Sequence, residues 1–135
     1  MPEPVIICLH QPALELAEKV ASLCDGEVHG LQSRVKTIPK TFEKTKEHLQ
    51  ELFQKGHPLV GICSSGILIR SLADVLSDKH TEPPVLAVAE DGSYVIPLLG
   101  GHHGANELAR KIASGLGVAA AVTTAGDLKF GIALD

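Results

Sequence analysis

The chain has 135 residues, 44% of them apolar but only 3% aromatic, and a formal net charge of -4. That length favours one domain whose core is built from Val, Ile, Leu and Ala. One Tyr, no Trp and no basic block argue against a nucleic-acid partner, and no apolar run approaches the roughly 20 residues of a membrane span.

Val5 to Leu9 is a continuous apolar run and reads as a buried strand. Gln11 to Leu23 follows with Leu14, Ala17, Val20 and Ala21 at helical spacing, and Asp25-Gly26 stops it. Glu27 to Leu31 reads as a short strand, and Gln32 to Lys40 as a loop. Thr41 is expected to open the next helix, with Phe42, Leu49, Leu52 and Phe53 on its apolar face and Gly56 ending it. "PLVGICSSG" is a strand entering a turn, and "ILIRSLADVLSDK" is a helix with Ile67, Leu68, Leu72, Val75 and Leu76 facing inward. In "PPVLAVAEDGSYVIPLL" two apolar runs flank Asp91-Gly92, which predicts an antiparallel hairpin. Asn106 to Leu116 is a helix capped by Gly117, "VAAAVTTAGD" a final core strand, and "KFGIALD" a short terminal strand.

Alternating strands and helices predict an α/β, three-layer sandwich with a mostly parallel, mixed sheet, flavodoxin-like and containing one β-hairpin. The expectation is a single domain over 1–135 belonging to a longer chain. Cys8, Cys24 and Cys63 are an odd count without CxxC spacing. This argues against a disulfide framework or a zinc site, and for the cytoplasm. The N-terminus lacks the basic region and long apolar run of a signal peptide.

Parallel α/β sheets bind ligands at the carboxyl ends of their strands. Three loops are expected there: "CSSG" (Cys63 to Gly66), "GGHHGAN" (Gly100 to Asn106) and "TTAGD" (Thr123 to Asp127). Two lead into helices, whose free N–H groups and dipole suit carboxylates or phosphates without Lys or Arg. Each serine alone reads first as an N-cap, and it is the three loops together that point to a pocket. Gly100, Gly101 and Gly104 permit positive φ and close backbone approach. His102 and His103 titrate near neutrality and are candidates to move a proton, with Glu107 placed to orient one of them. Adjacent histidines do not make the i, i+4 pair of a helical metal site, so no metal is expected. Cys63 is a conceivable nucleophile, although a buried inert thiol is the commoner outcome. His10 ends the first strand on the ligand side; His29, His48, His57 and His80 read as surface residues, and Arg70 and Arg110 as solvated charges. No GxxxxGK[ST], GxGxxG or GxSxG occurs, so P-loop, dinucleotide and esterase readings lose their support.

From "GICSSGILIR" onward, through "DKHTEPPVLAVAEDG" and "PLLGGHHGANELA" to "TTAGD", the chain resembles the N-terminal domain of the cobalamin biosynthesis protein G family, the cobalt-precorrin 5A hydrolases. The resemblance covers Leu59 to Asp127, and the glycine loop is one residue shorter than the family's "SGHxGGAN". "PLLGGHHGANELA" and "TTAGDLKFGIALD" look most like the form fused ahead of precorrin-3B C17-methyltransferases.

The resemblance implies a role in cobalamin biosynthesis on a precorrin or cobalt-precorrin tetrapyrrole, with opening of a ring-A lactone and release of acetaldehyde. It implies a precorrin methyltransferase partner in cis or trans, and no cofactor beyond substrate cobalt. By motif, Gly61, Gly66, Gly101, His102, Gly104, Ala105, Asn106, Thr123 and Thr124 carry over; the short loop leaves open whether His102 or His103 holds the family's histidine position. The expected site therefore joins His102, His103 and Glu107 as catalytic residues to Ser64, Ser65, Gly66, Gly101, Gly104, Ala105, Asn106, Thr123 and Thr124 as substrate contacts. The competing readings are a non-catalytic corrinoid-binding module and a flavodoxin-like domain for a phosphate ligand.

Overall fold

The computed structural model describes residues 2–124. Six strands form one sheet: β1 (Val5–Cys8), β2 (Glu27–Leu31), β3 (Thr41–Phe42), β4 (Leu59–Ile62), β5 (Val85–Val88) and β6 (Val95–Leu99), in the order β3-β2-β1-β4-β5-β6. Four helices cover it: α1 (Leu14–Cys24), α2 (Thr45–Gln54), α3 (Ser65–Leu72) and α4 (Ala105–Leu116). All pairings are parallel except β5 with β6. The three-layer sandwich with a mixed sheet and one hairpin is as expected. Leaving β3 aside, the order is that of flavodoxin-like sheets with the last strand reversed.

The strands β1, β4 and β5 are buried on both faces, which is why they read as unbroken apolar runs. On one face Ile6, Ile62, Leu86, Val88 and Val95 pack against Leu14, Ala17 and Val20 of α1 and Ala109 and Ile112 of α4. On the other, Val5, Ile7, Leu59 and Val85 pack against Leu49, Leu52 and Phe53 of α2 and Leu68 and Leu72 of α3. Each helix places its apolar residues at three- and four-residue spacing, and that stripe supplies most of its stability. Asp25, with φ 54°, ends α1 in the left-handed conformation.

Three expectations need correction. Thr41 does not open a helix. Thr41–Phe42 extends the sheet beyond β2, where the Gln32 N–H donates to the Phe42 carbonyl at 2.8 Å and Phe42 is buried. Burying Phe42 on the sheet wins over an uncapped early helix start, and α2 begins at Thr45. The α3 helix ends at Leu72 and tightens into a 3-10 turn over Ala73–Val75 instead of reaching Lys79. Gln50 on α2 donates to the Ser71 carbonyl and to Asp74, and Asp78 then builds a turn by accepting from the His80 N–H. Leu76 is consequently exposed. Residues 118–124 are not a core strand. They touch the outer edge of β6 at one bridge, Val95 with Ala120, and the Ala121 N–H donates to Val95. Small alanines have little to bury there. "KFGIALD" lies outside the described residues.

The reversal of β6 decides where the loops fall. β1, β2, β4 and β5 share one carboxyl edge, but β6 ends at the opposite edge, where they begin.

Candidate functional site at the amino edge of the sheet

The "GGHHGAN" loop therefore lies beside the segments that enter the parallel strands. Gly100 and Gly104 have φ 84° and 90° and bracket a single 3-10 turn, Gly101–His103. The need for glycine is sharpest at Gly100, where a Cβ would lie 2.5 Å from the Pro84 Cα and from the Pro83 carbonyl oxygen. Gly101, which also permits positive φ, does not adopt it, and a Cβ there would meet nothing within 4 Å. Gly104 is the flanking residue of α4, and no side chain caps that helix start.

A cavity of about 190 Å³ opens at this loop, lined by Lys79, Glu82, His102, Asn106 and Thr124 around the backbone of Leu98 to Gly101. A smaller hollow of about 90 Å³ shares Gly101, Asn106 and Thr124 with it and adds Ala105 and Thr123. Asn106 is 5% exposed and its Nδ2 donates to Thr124 Oγ1 at 3.3 Å. The glycine-histidine loop and the Thr-Thr pair, 17 or more residues apart in sequence, are thus brought together.

The two histidines part company. His102 faces the cavity with its ring 4.5 Å from that of His80. His103 Nε2 donates to the His80 carbonyl at 2.5 Å and lines a separate open groove with Pro4, Pro58 and Pro84. Glu107 is exposed, folds back over Gly104, and makes no hydrogen bond to either histidine among the described residues. Lys79 and Glu82 were not singled out from sequence, and His80 was read as a plain surface residue. The available signal was the acid before the double proline in "DKHTEPP".

Ser64, Ser65 and Gly66 are not part of this constellation. They lead from β4 into α3 at the carboxyl edge, and β4 alone sets the two edges about 13 Å apart at ~3.3 Å per residue. Ser64 is the flanking residue of α3 but its hydroxyl makes no capping bond. On that rim His10 Nε2 meets Glu90 Oε2 at 2.5 Å. Beside it Cys63 is buried, and burial, with a smaller push from Glu90, raises its thiol to about 12. A thiol so hard to ionise is no nucleophile at neutral pH. Burial raises Cys8 and Cys24 as well. Among the described residues no group of three or more His, Cys, Asp or Glu is arranged for a metal ion. Among them, too, no helix is long and apolar enough to cross a membrane.

The sequence pattern of the cobalamin synthesis G N-terminal family matches residues 47–127, which include the loop, the cavity acid and the Thr-Thr pair. A cobalt-precorrin-5A hydrolase of Priestia megaterium is 40% identical over 88 residues, 64% of this chain and 24% of that protein. One of Salmonella typhimurium is 44% identical over 78 residues, 57% of this chain and 22% of that protein. The chain thus spans about a quarter of the length of these curated relatives. In fold it is similar to the crystal structure of a cobalamin biosynthesis protein G homologue from Sulfolobus solfataricus, with a TM-score of 0.66 at 20% identity over 90% of this chain and 36% of that one. The motif run and the family match agree, and the chain belongs to the cobalamin synthesis G N-terminal family.

Proposed function

We propose that the chain is a corrin-precursor domain of cobalamin biosynthesis, related to the cobalt-precorrin-5A hydrolases, whose amino-edge cavity takes one acidic arm of the tetrapyrrole. The observation that carries this reading is that His102, Asn106 and Thr124, from two separate parts of the family motif, line one cavity.

The chemistry follows from what each group offers. The buried Asn106 amide and the uncapped N-terminus of α4 present N–H donors to a carboxylate, or to the oxyanion that develops when water attacks a lactone carbonyl. His102 is the group placed to give a proton to the departing ring oxygen. Any cobalt arrives as part of the substrate, and the reading places no cofactor in the chain. A reducing cytoplasm suits three buried free thiols. A precorrin methyltransferase, in cis or in trans, is the proposed partner, on the resemblance of the loop and "TTAGD" segments to fused chains.

Size favours a second reading. Ligand pockets that enclose a drug-sized molecule run from about 300 to 1,000 Å³, so a cavity of about 190 Å³ holds an arm and not a macrocycle. The chain would then hold the corrinoid while chemistry is completed by another domain. Titration with a cobalt-precorrin lactone, followed by absorption and by acetaldehyde assay, separates the two. Binding with acetaldehyde release supports the hydrolase, and binding without release supports the holding module. No binding sinks both.

A further inference from the structure

We infer that Glu82 is the proton acceptor of this site, working across the cavity from His102; the inference rests on the hydrolytic reading above. Glu82 is only 8% exposed, yet no hydrogen bond or ion pair holds its carboxylate among the described residues. Glutamates are rarely buried so deeply unless paired. Among the described residues no buried side-chain oxygen is sealed without a partner, so the Glu82 oxygens open onto the cavity that the residue lines.

The position is rigid. Pro83 restricts the backbone of Glu82 to extended conformations, and Pro84 fixes the next step. Gly100 lies tightly against both prolines, which ties Glu82 to the base of the loop that carries His102. A reacting group held by such a clamp loses little freedom when substrate arrives.

Binding alone gives no reason for an acid on this wall. An ionised Glu82 opposes an acidic arm of the ligand, and Lys79 on the same cavity offsets that cost. Proton transfer does give a reason. Water loses a proton to Glu82 as its oxygen bonds to the lactone carbonyl carbon. The bond from that carbon to the ring oxygen then breaks, and the leaving oxygen takes a proton from the His102 imidazolium. The products are a carboxylic acid and an alcohol, with no change in oxidation state. One proton exchanged through solvent returns Glu82 and His102 to their starting forms. Glu107 lies outside the cavity and Glu90 at the far edge of the sheet, so neither competes for the role.

The test compares the intact chain with its Glu82→Gln variant, measuring lactone binding by absorption, turnover by conversion of the lactone to the ring-opened hydroxy acid, and thermal melting. The expected result is turnover lower by about 100-fold or more, affinity unchanged or tighter, unaltered melting, and loss of the acidic limb of the pH–rate profile. Equal turnover in E82Q overturns the inference, as does a joint loss of affinity, turnover and melting temperature that Glu82→Asp fully repairs with unchanged kcat. If E82Q does not fold, Glu82→Asp decides. It keeps the charge on a shorter arm, so a lower kcat at constant affinity supports the role and an equal kcat overturns it. Wild-type binding without turnover sinks the hydrolytic reading and the base with it, whereas wild-type turnover indifferent to E82Q sinks the base alone.

Discussion

The side-chain amide of Asn106 donates to the Thr124 hydroxyl at 3.3 Å and so joins the first turn of α4 to the segment along the outer edge of β6. Replacing Asn106 by Ala is expected to cost about 1–3 kcal/mol, because the amide is buried and Thr124 loses its donor. Thr124→Val, which removes only the hydroxyl, is expected to cost less. Urea midpoints of the two variants check the order, and corrinoid affinity should fall with Asn106→Ala.

Gly100 and Gly101 are neighbours with opposite tolerances. A methyl group at Gly100 meets backbone of Pro83 and Pro84 at 2.5 Å and sits on a φ of 84°, so Gly100→Ala should destabilise by about 2 kcal/mol or more. At Gly101 a Cβ meets open space, and Gly101→Ala should stay within about 0.5 kcal/mol of wild type. A similar loss at both positions, measured by thermal melting, would contradict the clamp.

The histidines of the loop should separate in the same way. His102→Ala is expected to lower turnover or corrinoid affinity with little change in melting. His103→Ala removes a bond to the His80 carbonyl and should lower melting by a few degrees while leaving affinity within about 2-fold. Reversed effects would move the proton-carrying role to His103.

A second histidine pair makes stability depend on pH. His29 Nδ1 and His48 Nε2 lie 2.8 Å apart, and His29 Nε2 meets Glu27, which also pairs with Lys40. His48 is stacked on Phe42. Burial, then the charge of His29, lowers the His48 pKa below its ordinary value, with Glu51 opposing weakly. The unfolded chain therefore binds more protons than the folded one. The contribution is fully present above the unfolded value of about 6.5 and is lost as pH falls through the lower folded value. Glu27, drawn down to about 2 chiefly by the Lys40 hydrogen bond, adds a second loss below the ordinary carboxylate range. Urea midpoints at pH 7.5 and 5.5 should fall for wild type and change less for His48→Gln.

The cysteines are expected to resist alkylation in the native state at pH 8. All three are buried, and Cys63 is raised to about 12. Reaction should appear on adding denaturant; rapid native labelling of Cys63 would show that the carboxyl rim opens.

What could be read in advance was local. The Asp91-Gly92 turn announced itself, and in the structure the Ser93 N–H donates to the Asp91 carboxylate at 3.0 Å while Gly92 takes φ 76°. The strand Glu27–Leu31 and the helix ending at Gly117 were legible for the same reason. The placing of the Gly100 to Asn106 loop on one rim with Ser64, Ser65 and Gly66 failed for a non-local reason: Ser64 to Gly66 lie at the carboxyl edge as expected, and it is the glycine-histidine loop that falls on the other one. A hairpin signal shows that β6 turns back, but which edge the next loop then occupies is a property of the whole sheet. Phe42 was assigned to a helix because its pairing partner, Leu31, lies eleven residues away. Glu82 is not legible in advance because nothing local in "DKHTEPP" shows that the distant Gly100 packs against Pro83 and Pro84.

The hairpin also makes the two rims thermodynamically separate parts. His10, Ser64 and Glu90 share no contact with His102, Glu82 or Asn106, and the sheet lies between them. Substitutions more than about 10 Å apart without common partners add in free energy. Combining a change at Ser64 with one at His102 should therefore give the sum of their separate effects, so each rim can be altered with the other as an internal reference.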